Sequence, residues 1–438
     1  MTKDEVYLND DGPREFRYYH GGVRYGIVVE DSGKFYHIDT PRIPELQQGK
    51  RPGEIGFPIN LKTISSSRGR NESKPFRPPP VFPLVNPPTV RKLVILGAGA
   101  SYDLALDQTE GGDKCPLANE LFAPRFDVQL QRYPGASAFC PELAHTGDVE
   151  AFFQRKWQHV LDHYDPLTFS KILNVQFYLH DLFLQISKKG QPRRSNYHTL
   201  VNLAHEYAVR TDEHVLFVNF NYDLLLEQAL GQSQNYRFSS ISDYVDHHNK
   251  KLLLVKPHGS CNFIRRLHPD ILQHIPSDCQ MNNITVLSQL LYSKKINADV
   301  INDLLAGEFD LFENDEIHHA AAGIEHVLYQ PQLLLPFKDK DELVMPLEHY
   351  SLMQHLLSGI DEILVIGWKG TEATFQKLLK NRLSHKTISV TTVTKGEVSV
   401  KTEFEKSIPK AVYKNIPEPQ TFSSYMQYLV QNNLELFD

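Results

Sequence analysis

The sequence predicts an α/β protein built on a doubly wound parallel sheet, with a helical insert and a small β-meander ahead of it. Three observations carry this expectation. Leu93-Val94-Ile95-Leu96 is an unbroken apolar run that ends in Gly97-Ala98-Gly99-Ala100-Ser101, and such runs suit strands buried on both faces. Apolar stretches at 214–220, 251–255 and 362–366 alternate with segments of helical periodicity, the pattern of successive βα units. Each stretch also ends in glycine or polar residues, at the strand edge where sheets of this kind bind ligands.

The chain has 438 residues, enough for a large core and for two or three domains or subdomains. A formal net charge of −7 argues against broad electrostatic attraction to nucleic acid or acidic membranes. No apolar run reaches the ~18 residues of a membrane span, and Met1-Thr2-Lys3-Asp4-Glu5-Val6 lacks the apolar core of a secretory signal. The four cysteines, Cys115, Cys140, Cys261 and Cys279, are dispersed and form no Cys-x-x-Cys pair. Neither a disulfide framework nor a structural zinc site is expected, and a cytoplasmic location follows.

Taken in order, residues 1–75 read as a small β-rich module. Phe16–His20 and Val23–Val29 flank Gly21-Gly22, a hairpin signal, and Asp31-Ser32-Gly33-Lys34 turns the chain into a third strand at 35–38. Residues 76–88 hold six prolines and form a stiff linker, which places the main domain at 89–438. After the glycine turn and a polar loop at 108–114, helical spacing runs through Val149–Ile186, broken at Asp165-Pro166. A further helix covers about 197–210, completing a helical insert over about 115–210. Strands follow at 214–220 and 251–255, with a helix at 224–230 between them. A second insert spans about 262–330 and is expected to be partly helical around 284–306. A strand at 362–366, a helix carrying Phe375, Leu378 and Leu379, a strand at 387–394 and a closing helix near 420–433 complete the chain.

Four strand ends gather unusual residues: Gly97-Ala98-Gly99-Ala100-Ser101, Asn221-Tyr222-Asp223, His258-Gly259-Ser260 and Gly367-Trp368. Each has a plain structural reading. Glycines make tight turns, Asn-x-Asp caps helices or turns, a histidine before glycine is an ordinary turn residue, and Trp368 suits a core. Their joint placement at one sheet edge is what singles them out, because it brings a glycine loop, an amide and an imidazole to one cleft. The third glycine of the dinucleotide-binding fingerprint is missing, with Tyr102 in its place.

In that order these residues resemble the sirtuin superfamily, over about 88–400. The family's marks are a glycine-alanine-glycine-x-serine loop, an Asn-x-Asp after a central strand and a catalytic His-Gly after the next. The resemblance implies a Rossmann-like domain that takes NAD as its substrate and cleaves the nicotinamide–ribose bond. It implies that Gly97, Ala98, Gly99 and Ser101 anchor the pyrophosphate, and that Asn221 holds a ribose hydroxyl and the attacking water. Asp223 would contact the carboxamide or order the Asn221 turn, and His258, followed by Gly259, would act as general base. Gly367 and Trp368 would lie by the adenosine half; Glu372, a less secure family position, receives no role.

The departures select a branch. The paired Cys-x-x-Cys zinc module of the deacylases is absent, and their phenylalanine-arginine gives way to Cys115-Pro116-Leu117 and Glu120-Leu121. Lys256-Pro257-His258-Gly259-Ser260 and the insert after it resemble the bacterial sirtuin-like NAD hydrolases of anti-phage defence, which deplete NAD and work as homo-oligomers or with a partner protein. No metal, membrane or nucleic acid is implied. An ADP-ribosyltransferase or deacylase using NAD, a non-catalytic NAD or ADP-ribose sensor, and a hydride-transfer dehydrogenase are the rival readings. The missing zinc module weighs against the deacylase, Asn221 with His258 against a pure binder, and Tyr102 against the dehydrogenase.

A meander as small as 1–75 has to bury its apolar residues against something. Deletion of residues 1–85 is expected to leave a folded protein that binds NAD but assembles differently. Light scattering of the truncated and full-length proteins checks this, and identical masses with unchanged partner binding would make the module a mere cover.

Overall fold

The computed structural model describes residues 88–103, 114–163, 165–190, 195–267, 287, 305–312, 329–335, 343–395, 397–414 and 421–437. It also describes the strand backbones at 15–20, 23–31, 34–39 and 57–59. The chain divides into two compact units, Met1–Pro80 and Val81–Asp438. In the first, β1 (Glu15–His20), β2 (Val23–Asp31), β3 (Lys34–Asp39) and β4 (Phe57–Ile59) form an antiparallel sheet in sequential order. The first three strands pair in the antiparallel order that the sequence predicts, and the residues between them, 21–22 and 32–33, lie outside the described residues. The fourth strand, carrying Pro58 between only two neighbours, has no alternation to reveal it.

The second unit is built on a six-stranded sheet. Its strands are β5 (Val90–Leu96), β6 (His214–Asn219), β7 (Leu252–Val255), β11 (Glu362–Ile366), β12 (Ile388–Val393) and β13 (Ala411–Tyr413). The spatial order is β13-β12-β11-β5-β6-β7, and every neighbouring pair is parallel. From β5 the chain proceeds outward through β6 and β7, then returns to the other side for β11, β12 and β13. This is the 3-2-1-4-5-6 order of the Rossmann-like doubly wound fold, with its topological switch point between β5 and β11. Leu93–Leu96, Val215–Val218 and Ile363–Ile366 are all buried, as strands covered on both faces must be.

Right-handed crossovers in opposite directions place helices on both faces of such a sheet. One layer holds α4 (Asn196–Thr211), α5 (Leu225–Gln234) and α9 (Phe422–Gln431), with α4 packed on both others and on β6. The other joins α6 (Leu347–Leu357), α7 (Ala373–Leu383) and α8 (Glu397–Ser407) in series. Between β5 and α4 lie a short α1 (Ala98–Tyr102), several helical turns over 118–146, α2 (Val149–Asp162) and α3 (Pro166–Lys189). Asp148 caps α2 by accepting from Ala151 N at 2.9 Å, and Asp165 caps α3 through Thr168 N at 3.0 Å, with Pro166 at the first helical position. The helix break expected at Asp165-Pro166 is therefore a cap pair.

Apart from Leu287 and Phe312, the described residues of the second insert are strands: β8 (Gly259–Leu267) pairs antiparallel with β9 (Leu305–Leu311) and with β10 (Tyr329–Leu333). Of the helix expected over 284–306, Leu305 and Ala306 begin β9, Leu287 is helical, and the rest lies outside the described residues, as does most of the loop at 108–114. Long α3 packs against β8 and β10, and its Phe177, Tyr178 and Leu182 join Phe139, Phe152 and Phe153 in a second core beside the main sheet. Sequence reading also passed over α6, α8 and β13. The last is three residues at a sheet edge, too short for a period-2 signal.

A buried histidine of this frame carries a pH dependence. His349, on α6, is wholly enclosed, with its Nε2 2.9 Å from the carbonyl of Ile241. Burial pushes its pKa from 6.5 down to about 4, partly opposed by that hydrogen bond. Because the folded value lies below the unfolded one, its contribution is intact above pH 6.5 and is lost as pH falls towards 4. Chemical denaturation at pH 7 and below pH 4 should show the parent losing about 3 kcal/mol more than His349→Phe, at 1.36 kcal/mol per pKa unit.

Candidate active site

The switch point brings two loops together. Gly97 N donates to Ile366 O at 3.0 Å, and Gly99 N donates to Gly367 O at 3.0 Å. Side chains would forbid this approach: a Cβ on Gly97 would stand 2.6 Å from Gly367 O and from the Trp368 Cα, and one on Gly99 2.8 Å from the Gly367 Cα. The close backbone contact that these glycines permit is thus with the loop after β11. Both amides are spent on it, and α1 is only five residues long. Ala98 is the exposed tip of the loop, with Gly99 half-buried beside it.

The loop is tied down from the other side by the strand end at β6. Asn221 Nδ2 donates to Gly97 O at 3.0 Å, and lies 2.9 Å from Ser101 Oγ and 3.2 Å from Tyr197 OH. A carbonyl oxygen can only accept, so the amide nitrogen must face the loop. Ser101 Oγ donates to Asp223 Oδ2 at 2.8 Å and is 2.8 Å from Tyr197 OH. Since the serine proton goes to the carboxylate, Tyr197 must donate to Ser101, and the donors run from Asn221 through both hydroxyls to Asp223. Burial first, then the Asp223 charge, holds the Tyr197 phenol well above its usual pKa, and the same two causes raise the Cys115 thiol, 3.5 Å from Asp223 Oδ2. Both stay protonated as donors. Asp223 also accepts from Leu225 N at 3.1 Å at the start of α5. The network uses the Asn221 amide hydrogens; among the described residues its Oδ1 has no partner.

His258 and Glu372 form the second half. Both are buried, and His258 Nε2 lies 3.9 Å from Glu372 Oε1. The imidazole meets Phe220 edge-on at 4.8 Å, and Phe220 stacks on Trp368 at 5.3 Å with 7° between planes. Trp368 also touches Phe375 and Phe404 edge-on. Its indole is 2% exposed and packs among these three rings. Gly259 has φ +74°, and a Cβ there would drive into Gln332 O on β10. Its freedom of backbone conformation seats β8 in the antiparallel sheet. With Leu334 N donating to His258 O at 2.8 Å, it sets the turn that carries the imidazole.

Of the residues singled out from sequence, Gly97, Gly99, Ser101, Asn221, Asp223 and Gly367 therefore form one bonded cluster, with Ala98 at its rim. His258 joins it through Phe220 and Trp368, and Gly259 shapes its turn. Asp223 is 1% exposed and holds Ser101 and α5, so it orders the turn. Sequence reasoning missed Tyr197 and Glu227, quoted Cys115 only as a departure from the deacylase pattern, and gave Glu372 no role. Tyr197 reads as one more apolar position on α4. Lys256 was quoted within its run but is wholly buried, 2.8 Å from Glu227 Oε1. Burial raises the Glu227 carboxyl, and the Lys256 charge opposes that. Among the described residues no group of three or more His, Cys, Asp or Glu could hold a metal ion, and no helix is long and apolar enough to cross a membrane.

Gly259→Ala and Gly367→Ala, both at positive φ and facing backbone atoms inside contact distance, should each cost more than about 3 kcal/mol. Gly147→Ala, at φ +65° with nothing within 4 Å, should cost only about 1 kcal/mol. Denaturant unfolding of the three variants checks the contrast.

No family model and no curated protein sequence matches the chain. Solved structures that are similar to it include Sir2Tm bound to a propionylated peptide, at 11% identity over 78% of this chain and 93% of that one, with a TM-score of 0.33. Another is Sir2 in complex with an inhibitor, 2′-O-acetyl-ADP-ribose and a deacetylated peptide, at 12% identity, 78% and 94% coverage and a TM-score of 0.32. No activity is carried over from likenesses this distant, and the fold class rests on the strand order itself.

Proposed function

We propose that this protein is an NAD hydrolase that cleaves the nicotinamide–ribose bond to give nicotinamide and ADP-ribose. The observation that carries the reading is the state of Asn221: its two amide hydrogens are shared among Gly97 O, Ser101 and Tyr197, and among the described residues its Oδ1 has no partner. It stands beside the β5–β11 switch point, where doubly wound sheets take nucleotides. In the reaction the C1′–N bond breaks with its electron pair leaving on the nicotinamide nitrogen, and the ribose passes through an oxocarbenium-like state. Asn221 Oδ1 accepts a hydrogen bond from the water that attacks C1′, or from a ribose hydroxyl. His258 takes the proton released as the new C–O bond forms, a role an imidazole performs near neutral pH. Glu372, 3.9 Å from His258 Nε2, favours the resulting imidazolium.

The exposed tip at Ala98 and half-buried Gly99 would receive the pyrophosphate, with Gly367 beside them. The amides of Gly97 and Gly99 already donate to the β11 loop, so they brace this loop and are not the phosphate donors. The resemblance of Lys256–Ser260 to the defence-type hydrolases extends the proposal to NAD depletion in the cytoplasm during anti-phage defence, through a homo-oligomer or a partner protein.

Nicotinamide release from NAD, followed chromatographically under conditions that activate the parent, tests the reading. Asn221→Ala and His258→Ala should each lower the rate by at least ~100-fold. His258→Ala should stay folded, at a cost of about 1–3 kcal/mol for the buried ring and its contacts with Phe220 and Glu372. Asn221→Ala should stay folded but lose about 1–3 kcal/mol, because it removes the hub of a buried network. Full activity in either variant would remove that residue from the mechanism.

A further inference from the structure

Two turns carry the proposed catalytic pair, 221–223 after β6 and 256–260 after β7, and one ammonium joins them. Lys256 is 0% exposed. Its Nζ donates to Asp223 O at 2.6 Å, to Glu227 Oε1 at 2.8 Å and to Ser260 Oγ at 2.7 Å. Three protons meet three acceptors, which is what a buried ammonium needs to offset its desolvation. Ser260 accepts from Lys256 and passes its own proton towards Tyr222 O at 3.4 Å, while Cys261 N donates to the same carbonyl at 2.9 Å. The Asn221-Tyr222-Asp223 backbone is thereby docked onto the residues that flank His258.

For stability alone, an apolar pair of similar volume would serve this position as well or better. A charge placed here does something an apolar pair cannot: it directs the Asp223 carbonyl. The Asp223 carboxylate in turn holds Ser101, and Ser101 holds the Asn221 amide. We propose that Lys256 is a positioning residue that clamps the Asn221–Asp223 turn to the His258 turn and so sets the distance between amide and imidazole. This inference rests on the hydrolase reading and assigns the ammonium no contact with substrate.

Removing Lys256 alone would strand a buried carboxylate, so the test uses Lys256→Met/Glu227→Met. Thermal unfolding, kcat and KM for NAD, and hydrogen exchange of the 97–103 and 219–225 amides are measured together. The double variant should unfold no earlier than the parent and keep KM within ~3-fold, yet lose at least ~10-fold in kcat. Exchange at 219–225 should be faster. Glu227→Gln keeps an acceptor opposite Lys256 along with the Asp223 and Ser260 contacts, and should hold kcat within ~3-fold. Parent-like kcat and exchange in the double variant would overturn the proposal, as would a Glu227→Gln loss as deep as the double variant's. If the parent releases no nicotinamide, the hydrolase reading fails on its own. Exchange then still decides the clamp: faster exchange at 219–225 supports it and unchanged exchange overturns it.

Discussion

The contact on which the rest of this domain depends is the pairing of the loops after β5 and β11. Two backbone hydrogen bonds join them, Gly97 N to Ile366 O and Gly99 N to Gly367 O, where a side chain at 97, 99 or 367 would collide with main chain. The sheet order makes these loops neighbours, because the chain leaves β5 in one direction and comes back to its other edge with β11. With the loops joined, Gly97 O is available as a fixed acceptor, and the Asn221 amide takes it. The orientation of the one amide that matters for the proposed chemistry thus follows from a steric constraint between glycines.

Around that contact, buried polar groups of the site are linked into two chains. Donors run from Asn221 through Ser101 and Tyr197 to Asp223, and Lys256 closes a separate set on Asp223 O, Glu227 and Ser260. Networks of this kind are strong when satisfied and costly when one member is lost. The Asp223 carboxyl terminates one chain and its carbonyl the other, so a residue that reads from sequence as a simple turn cap joins both. The aromatic stack of Phe220 on Trp368 fills the space between the two halves.

The strand skeleton of the main domain was legible because its signal is local. Leu93–Leu96, Val215–Val218, Leu252–Val255 and Ile363–Ile366 are apolar without a break, since each is covered on both faces. The Asp165-Pro166 break was equally plain, as a cap residue followed by proline. The β8–β10 sheet was not. Gly259–Leu267 mixes polar and apolar residues, and its partners lie some forty and seventy positions further along the chain. Pairing at such separation leaves no periodic trace in either strand.

For the site, the sequence by itself determined which residues stand at the strand ends: the glycine loop, Asn221, Asp223, His258 and Gly367. It did so because strand ends are punctuated by residues that tolerate turns. What each of them does was decided by the tertiary structure. Gly97 and Gly99 meet another loop, Trp368 faces the core, Asp223 orders a turn, and Glu372 stands 3.9 Å from His258 across more than a hundred residues of chain. Hydrogen-bond direction, burial and charge pairing are properties of groups brought together from distant segments, and a linear pattern contains no record of them.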